Sequence, residues 1–342
     1  MNKIPVSESN AIVMVRAFAM LSIITCHLFQ CYGIYQLSSI FNIGVQVFLV
    51  LSGFLYGRKT ITEWNLWALK RFKKLYIPTL LIFLLAIPFY LILHIVWGGQ
   101  VFLNLKLVVI HILNLQGIGT VLNYSTRING LNHLWFMTAI MISYCCIPFL
   151  QKLRKYPLVA FLTLITIWCF SCCFIPTNIL WGLEWILLFS IGYLYVVIKE
   201  KGLKVTQSIF EITILTSSVV VCIFLKEESL NSNLDRYNRA FHDILGIGLT
   251  IWCIRILSYF KTSPSFPVKF LDKHSFHIFL VHFPIIVGPF SLGHLTSYIP
   301  LNIVIMISVV IICSFIFVYI LNFIDKKIES HIKNEYTPNY TK

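Results

Sequence analysis

Two ionisable side chains, Arg16 and His27, interrupt the otherwise apolar stretch Ala11–Phe29. An imidazole can take the proton from an attacking hydroxyl, or act as a nucleophile itself and carry a group transiently. A guanidinium within an apolar span costs about 2.5–3.5 kcal/mol on insertion scales, so it persists where it faces water, a ligand or a partner. At about 100° per residue the eleven-residue step from Arg16 to His27 closes about three turns. Both side chains therefore leave one face of a helix, about 16 Å apart along its axis. The pair predicts a single polar lining with groups at two depths.

The rest of the chain has to hold that helix in a membrane. Of 342 residues, 58% are hydrophobic and only 12% charged, against about 25% charged in soluble domains. The mean hydropathy is +0.82. A soluble globule is excluded, and an all-α integral membrane fold is expected. Apolar runs place ten spans near 11–31, 40–57, 75–97, 132–150, 157–175, 180–198, 206–225, 240–258, 272–290 and 299–323. With the N-terminus in the cytoplasm, 20 of the 27 Lys and Arg residues fall on the inner side, which puts both termini there. That parity requires the polar, glycine-broken segment 101–122 to enter and leave on one side, as a re-entrant or interfacial helix.

The formal net charge of +14 sits in short clusters between apolar runs, with no basic stripe beside an aromatic platform. Nucleic-acid binding does not follow from it. The cysteines, such as Cys145-Cys146 and Cys172-Cys173, lie mostly within spans and read as small buried hydrophobes. The first span lacks a cleavage pattern of signal type and is expected to stay in the mature protein.

Further polar or small residues mark particular depths. The second span carries Gly44, Ser52, Gly53 and Gly57, where small side chains let helix backbones approach. The densest basic segment, Lys70-Arg71-Phe72-Lys73-Lys74, opens the third span. With Arg58 and Lys59 it could hold a phosphate-rich ligand, because Arg71 and Lys74 share a helical face. Trp135, in Asn132–Phe136, suits the membrane interface. Glu184 and the pair His242-Asp243 are expected to form a polar vestibule opposite the basic side. In the ninth span Ser275 and His282 share a face, and His274, His277 and His282 lack the spacing of a helical metal site, so no metal is expected.

Taken in order, Arg16-x10-His27, Gly44…Phe48…Leu51-Ser52-Gly53-Phe54, Arg71-x2-Lys74…Pro78, Leu134-Trp135-Phe136 and Ser275…Ile278-Phe279-Leu280-Val281-His282-x-Pro284 resemble the membrane-bound acyltransferase 3 family. These markers cover nearly the whole chain. Lys74 departs from the family's usual Arg-x2-Arg, keeping charge but losing the two-pronged grip on phosphate. The resemblance implies one polytopic acyltransferase domain over 1–342, with a short cytoplasmic tail at 324–342 and no appended soluble domain. It implies transfer of an acyl group, acetyl above others, from cytoplasmic acyl-CoA to a hydroxyl of a cell-surface or lipid-linked carbohydrate, with no permanently bound cofactor. His27 and Arg16 would then be catalytic, Arg58, Lys70, Arg71 and Lys74 would bind the donor, and Ser52, Gly53, Trp135, Ser275 and His282 would support them. Glu184, His242 and Asp243 would face the acceptor. Glycan assembly proteins are possible partners, and the location implied is the inner or plasma membrane. The competing readings are a transporter or flippase for a lipid-linked solute, and a non-catalytic export partner.

Overall fold

A computed structural model describes residues 4–97, 105–124, 128–228 and 235–336, and among these it contains helices and no strands. The helices are α1 (Val6–Cys31), α2 (Tyr35–Phe41), α3 (Gly44–Gly57), α4 (Trp64–Trp97), α5 (Leu105–Ile112), α6 (Gln116–Val121), α7 (Trp135–Cys145), α8 (Ile147–Leu153), α9 (Pro157–Phe174), α10 (Thr177–Glu200), α11 (Lys204–Glu228), α12 (Asp235–Tyr259), α13 (Phe266–Ile286) and α14 (Ile299–Tyr336). A 3-10 turn over Asn132–Leu134 precedes α7. Each of the ten expected runs coincides with a helix or, for 132–150, with the bent pair α7–α8.

Among the described residues seven helical stretches, α2 and α3 together counting as one, are long and apolar enough to cross a membrane, or eight if the pair α7–α8, bent by 40°, is one span. The chain is an all-α, multi-pass membrane protein. Two of the expected spans fall short of that measure for identifiable reasons. The apolar part of α9, Pro157–Cys172, is short. Helix α13 carries Lys269, Asp272 and Lys273 in its first two turns.

Residues 101–104, the start of the expected re-entrant segment, lie outside the described residues. The remainder forms α5 and α6, about 12 and 9 Å long, too short to cross a hydrocarbon core of about 30 Å. They are separated at Asn114, whose φ of 53° is a left-handed conformation that asparagine tolerates better than most side chains.

Glycines set how closely the central helices pack. A Cβ on Gly53 would fall on the Phe189 carbonyl of α10, and one on Gly192 of α10 would fall on the Val50 carbonyl of α3. The two backbones are in direct contact, and α10 becomes the axis of the bundle. In its apolar window 78% of residues are buried, against 22% in α4, α11 and α14. Those three form the periphery, where Phe89, Ile212 and Tyr319 are exposed to what in a bilayer is lipid. Helix α1 packs against α13, α12 and α3, and α13 packs against α14.

One end of the bundle gathers the basic segments. There Glu8 of α1 accepts hydrogen bonds from Arg58 (2.6 Å) and Lys199 (2.8 Å), with the Glu8 and Arg58 side chains only 7% and 10% exposed. Arg154 donates to the carbonyls of Gly57 (2.9 Å) and Lys59 (3.2 Å). Gln151 bonds both the N–H and the carbonyl of Ile61. The connection after α3 is thus clamped. Removing the Glu8 carboxylate leaves Arg58 buried without its counter-charge, a loss of about 3–5 kcal/mol. Glu8→Ala should therefore lower the unfolding midpoint of detergent-solubilised protein by several degrees. An unchanged midpoint would show that water already solvates this pair.

Candidate functional site

Arg16 and His27 both face α13, as their spacing requires. Arg16 Nη1 lies 3.0 Å from Asp272 Oδ1. Two to three turns further along the same seam, the His27 ring meets those of His282 (centroids 5.2 Å) and Phe283 (4.8 Å, edge on). The expectation of one shared passage needs correction, however. A cavity of about 270 Å³ is lined by His27 but not by Arg16. The guanidinium is instead paired with the Asp272 carboxylate.

The cavity is built from widely separated parts of the chain: Cys26, His27 and Gln30 of α1, the segment around Phe41–Val45, His111 of α5 with Gln116 and Thr120 of α6, the segment around Asn132–Phe136, Trp181 of α10, and Phe279 with Phe283 of α13. Its location at the far end of α1 from Glu8 places it at the end opposite the basic clusters. Gln30, one turn beyond His27, accepts a 2.6 Å hydrogen bond from His27 Nδ1–H. That bond fixes the tautomer and leaves Nε2 as the lone-pair nitrogen, on a ring that lines the cavity. Gln30 is itself steadied by its amide, which donates to Cys26 Sγ at 3.7 Å.

Two more imidazoles stand behind His27. His282, fully buried, donates from Nδ1 to the Phe279 carbonyl at 2.7 Å. His133 donates from Nε2 to the Leu280 carbonyl at 3.1 Å and stacks on Phe283 at 5.1 Å. The His133 and His282 rings lie 5.2 Å apart. Both are thereby held as donors to the α13 backbone, giving His27 an anchored polar backing. Among the described residues no group of three or more His, Cys, Asp or Glu side chains is disposed to hold a metal ion.

Trp135 opens α7 at the cavity wall rather than serving only an interface belt. It stacks on Trp185 at 5.4 Å and meets Trp181 at 4.6 Å. Gly53 is accounted for by the α3–α10 contact, with Ser52 half-buried beside it. Ser275 donates to the Asp272 carbonyl at 2.9 Å, within the turn that positions the Arg16 partner.

At the basic end, Arg71 lies over the Tyr56 ring at 5.7 Å and Lys59 over the same ring at 5.5 Å. Burial, and secondarily the neighbouring Arg71, lower the Lys59 ammonium from its ordinary pKa. Tyr144 meets Tyr56 edge to face at 5.0 Å. Lys70 and Lys74 are exposed on α4. Arg58 stands apart from them, committed to Glu8, so the donor-binding set implied by the sequence divides into a free group and a paired residue.

The vestibule expected from Glu184, His242 and Asp243 is closed. Glu184 is 5% exposed and lies 3.8 Å from Arg239. Asp243 is 1% exposed and accepts a 3.3 Å hydrogen bond from Trp168 Nε1. His242 Nε2 donates to the Ser39 carbonyl at 2.7 Å, tying α12 to α2. Carboxylates in an apolar span gain more from an internal cation and indole than from an edge they cannot reach. Arg239 in turn lies 5.9 Å from the Trp181 ring, so the cluster backs the cavity wall without lining it. Sequence reasoning missed Gln30, His133 and Trp181. Of these, only Gln30 was within reach, by its i, i+3 spacing from His27.

The family model described as an acyltransferase domain matches residues 10–319. No curated protein and no solved structure matches the chain.

Proposed function

The chain belongs to the acyltransferase 3 family, and from that premise we propose that it moves an acyl group, most simply acetyl, from cytoplasmic acyl-CoA to a hydroxyl of a cell-surface or lipid-linked carbohydrate. The observation that carries this reading is His27: Gln30 holds Nδ1–H, which leaves Nε2 as the lone-pair nitrogen of a ring that lines the cavity. The basic end lies in the cytoplasm of the inner or plasma membrane, with both termini on that side. There Lys70, Arg71 and Lys74 receive the phosphates of the coenzyme, and the thioester arm extends past Tyr56 and Tyr144 toward Arg16. For the arm to reach His27, Arg16 must exchange Asp272 for the donor.

The acceptor enters from the opposite end, where Trp135 and Trp181 offer flat faces to a sugar ring. At about 270 Å³ the cavity is just below the roughly 300–1,000 Å³ of small-molecule sites, room for a monosaccharide unit rather than a whole coenzyme. His27 Nε2 takes the hydroxyl proton as the oxygen attacks the thioester carbon. The C–O bond forms, the C–S bond breaks, and the imidazolium returns its proton to the thiolate. Alternatively His27 Nε2 attacks the thioester carbon, the N–C bond forming as the C–S bond breaks and the coenzyme leaves as thiolate; the hydroxyl oxygen then displaces the imidazole from the acyl carbon, and its proton passes to the thiolate.

Transfer of labelled acyl groups from acyl-CoA to membrane glycan tests the reading directly, and its absence with folded protein and native membranes would overturn it. Within that assay Arg71→Ala should raise the donor KM about tenfold, the worth of one charge-assisted hydrogen bond, with little change for the acceptor. A donor KM that does not move would remove Arg71 from the donor track.

A further inference from the structure

A second cavity, of about 250 Å³, lies at the basic end between α3, α10, α11 and α12, away from His27. At its base Glu211, 1% exposed, accepts hydrogen bonds from Tyr195 Oη (2.6 Å) and Gln207 Nε2 (2.8 Å) and pairs with Arg255. Lys199 enters from α10 while still bonded to Glu8, and Ser258 Oγ, on the wall, is a buried hydroxyl with no hydrogen-bond partner. Arg255, like Arg16, lies inside an expected span, and nothing in the acyl-transfer reading uses it.

The charges do not cancel. Glu8 and Glu211 face Arg58, Lys199 and Arg255, which leaves this network one positive charge in excess. Within a span such an excess persists where an anion offsets it. The Arg255 side chain is 52% exposed, and Tyr259, also lining the cavity, is 79% exposed at the end of α12. The mouth is therefore a guanidinium and a phenol at the level of the basic interface, where the headgroups of a bilayer lie. Basic pockets between helices at that level bind phosphate headgroups.

We infer that this cavity is a phosphate site distinct from the His27 cavity, occupied by the headgroup of an anionic phospholipid whose phosphate lies between Arg255 and Lys199. Ser258 would donate to a phosphate oxygen, and the small volume suits a headgroup rather than a nucleotide coenzyme. The proposal stands independently of the acyl-transfer reading, since its test involves no turnover.

Purified, delipidated full-length protein is titrated with short-chain phosphatidylglycerol, with coenzyme A and with inorganic phosphate, and bound species are counted by native mass spectrometry. The expected result is one retained phosphatidylglycerol per chain, with affinity at least tenfold weaker in Arg255→Gln/Glu211→Gln. That double variant removes the cation without stranding a buried carboxylate. Lys199→Gln should weaken binding in the same direction and serves as the second variant if the first fails to fold. Retention of coenzyme A instead, lost in the same variants, would overturn the lipid assignment in favour of a soluble phosphate. Equal phosphatidylglycerol binding by wild type and both variants would overturn the site.

Discussion

His27→Ala is expected to lower acyl transfer by about 10²–10⁴-fold, the range typical of a lost general base, while the protein still extracts and elutes as a single species. The prediction has structure on both sides of the ring. Gln30 holds Nδ1 at 2.6 Å, so the loss of a base is confined to Nε2 of a ring that lines the cavity. His133 and His282 are each bonded to α13 carbonyls, so the wall behind the missing ring keeps its own anchors. Gln30→Ala gives a graded comparison: the base survives, its tautomer is no longer fixed, and a smaller fall in kcat is expected. Labelled acyl-CoA with purified protein in nanodiscs measures both. A His27→Ala enzyme with undiminished kcat would show that the proton goes elsewhere.

The second large effect concerns assembly rather than chemistry. Gly53→Val should prevent the bundle from forming, because the first added carbon already falls on the Phe189 carbonyl and the backbone of α10 cannot retreat from it. Overpacking in ordinary cores costs about 1–3 kcal/mol with side chains that can rotate away. Here both partners are main chain, and the reciprocal contact of Gly192 with Val50 locks the same pair from the other side. Loss of the monodisperse peak in fluorescence-detected size exclusion is the expected outcome for Gly53→Val and Gly192→Val alike, with Ser52→Ala as the tolerated control. A monodisperse, active Gly53→Val protein would mean that α3 and α10 stand further apart than described.

The sequence by itself determined the membrane fold, the order of the helices and the shared face of Arg16 and His27, because each follows from local quantities: hydropathy over some twenty residues, and an angle of about 100° per residue. It also carried the family, through an ordered set of short motifs matched over residues 10–319. Helix periodicity is blind to what faces a side chain from another helix. Only the tertiary structure decided that Arg16 pairs with Asp272, that the cavity is shared by His27 and not by Arg16, and that Arg58 belongs to Glu8 rather than to the free basic group. The acidic pair went the same way. Glu184 and Asp243 read as edge residues from their places near span ends, yet Arg239 and Trp168, each supplied by a different turn or helix, take them inside. A buried charge is located by its partner, and partners separated by dozens of residues are a property of packing, which no local pattern records.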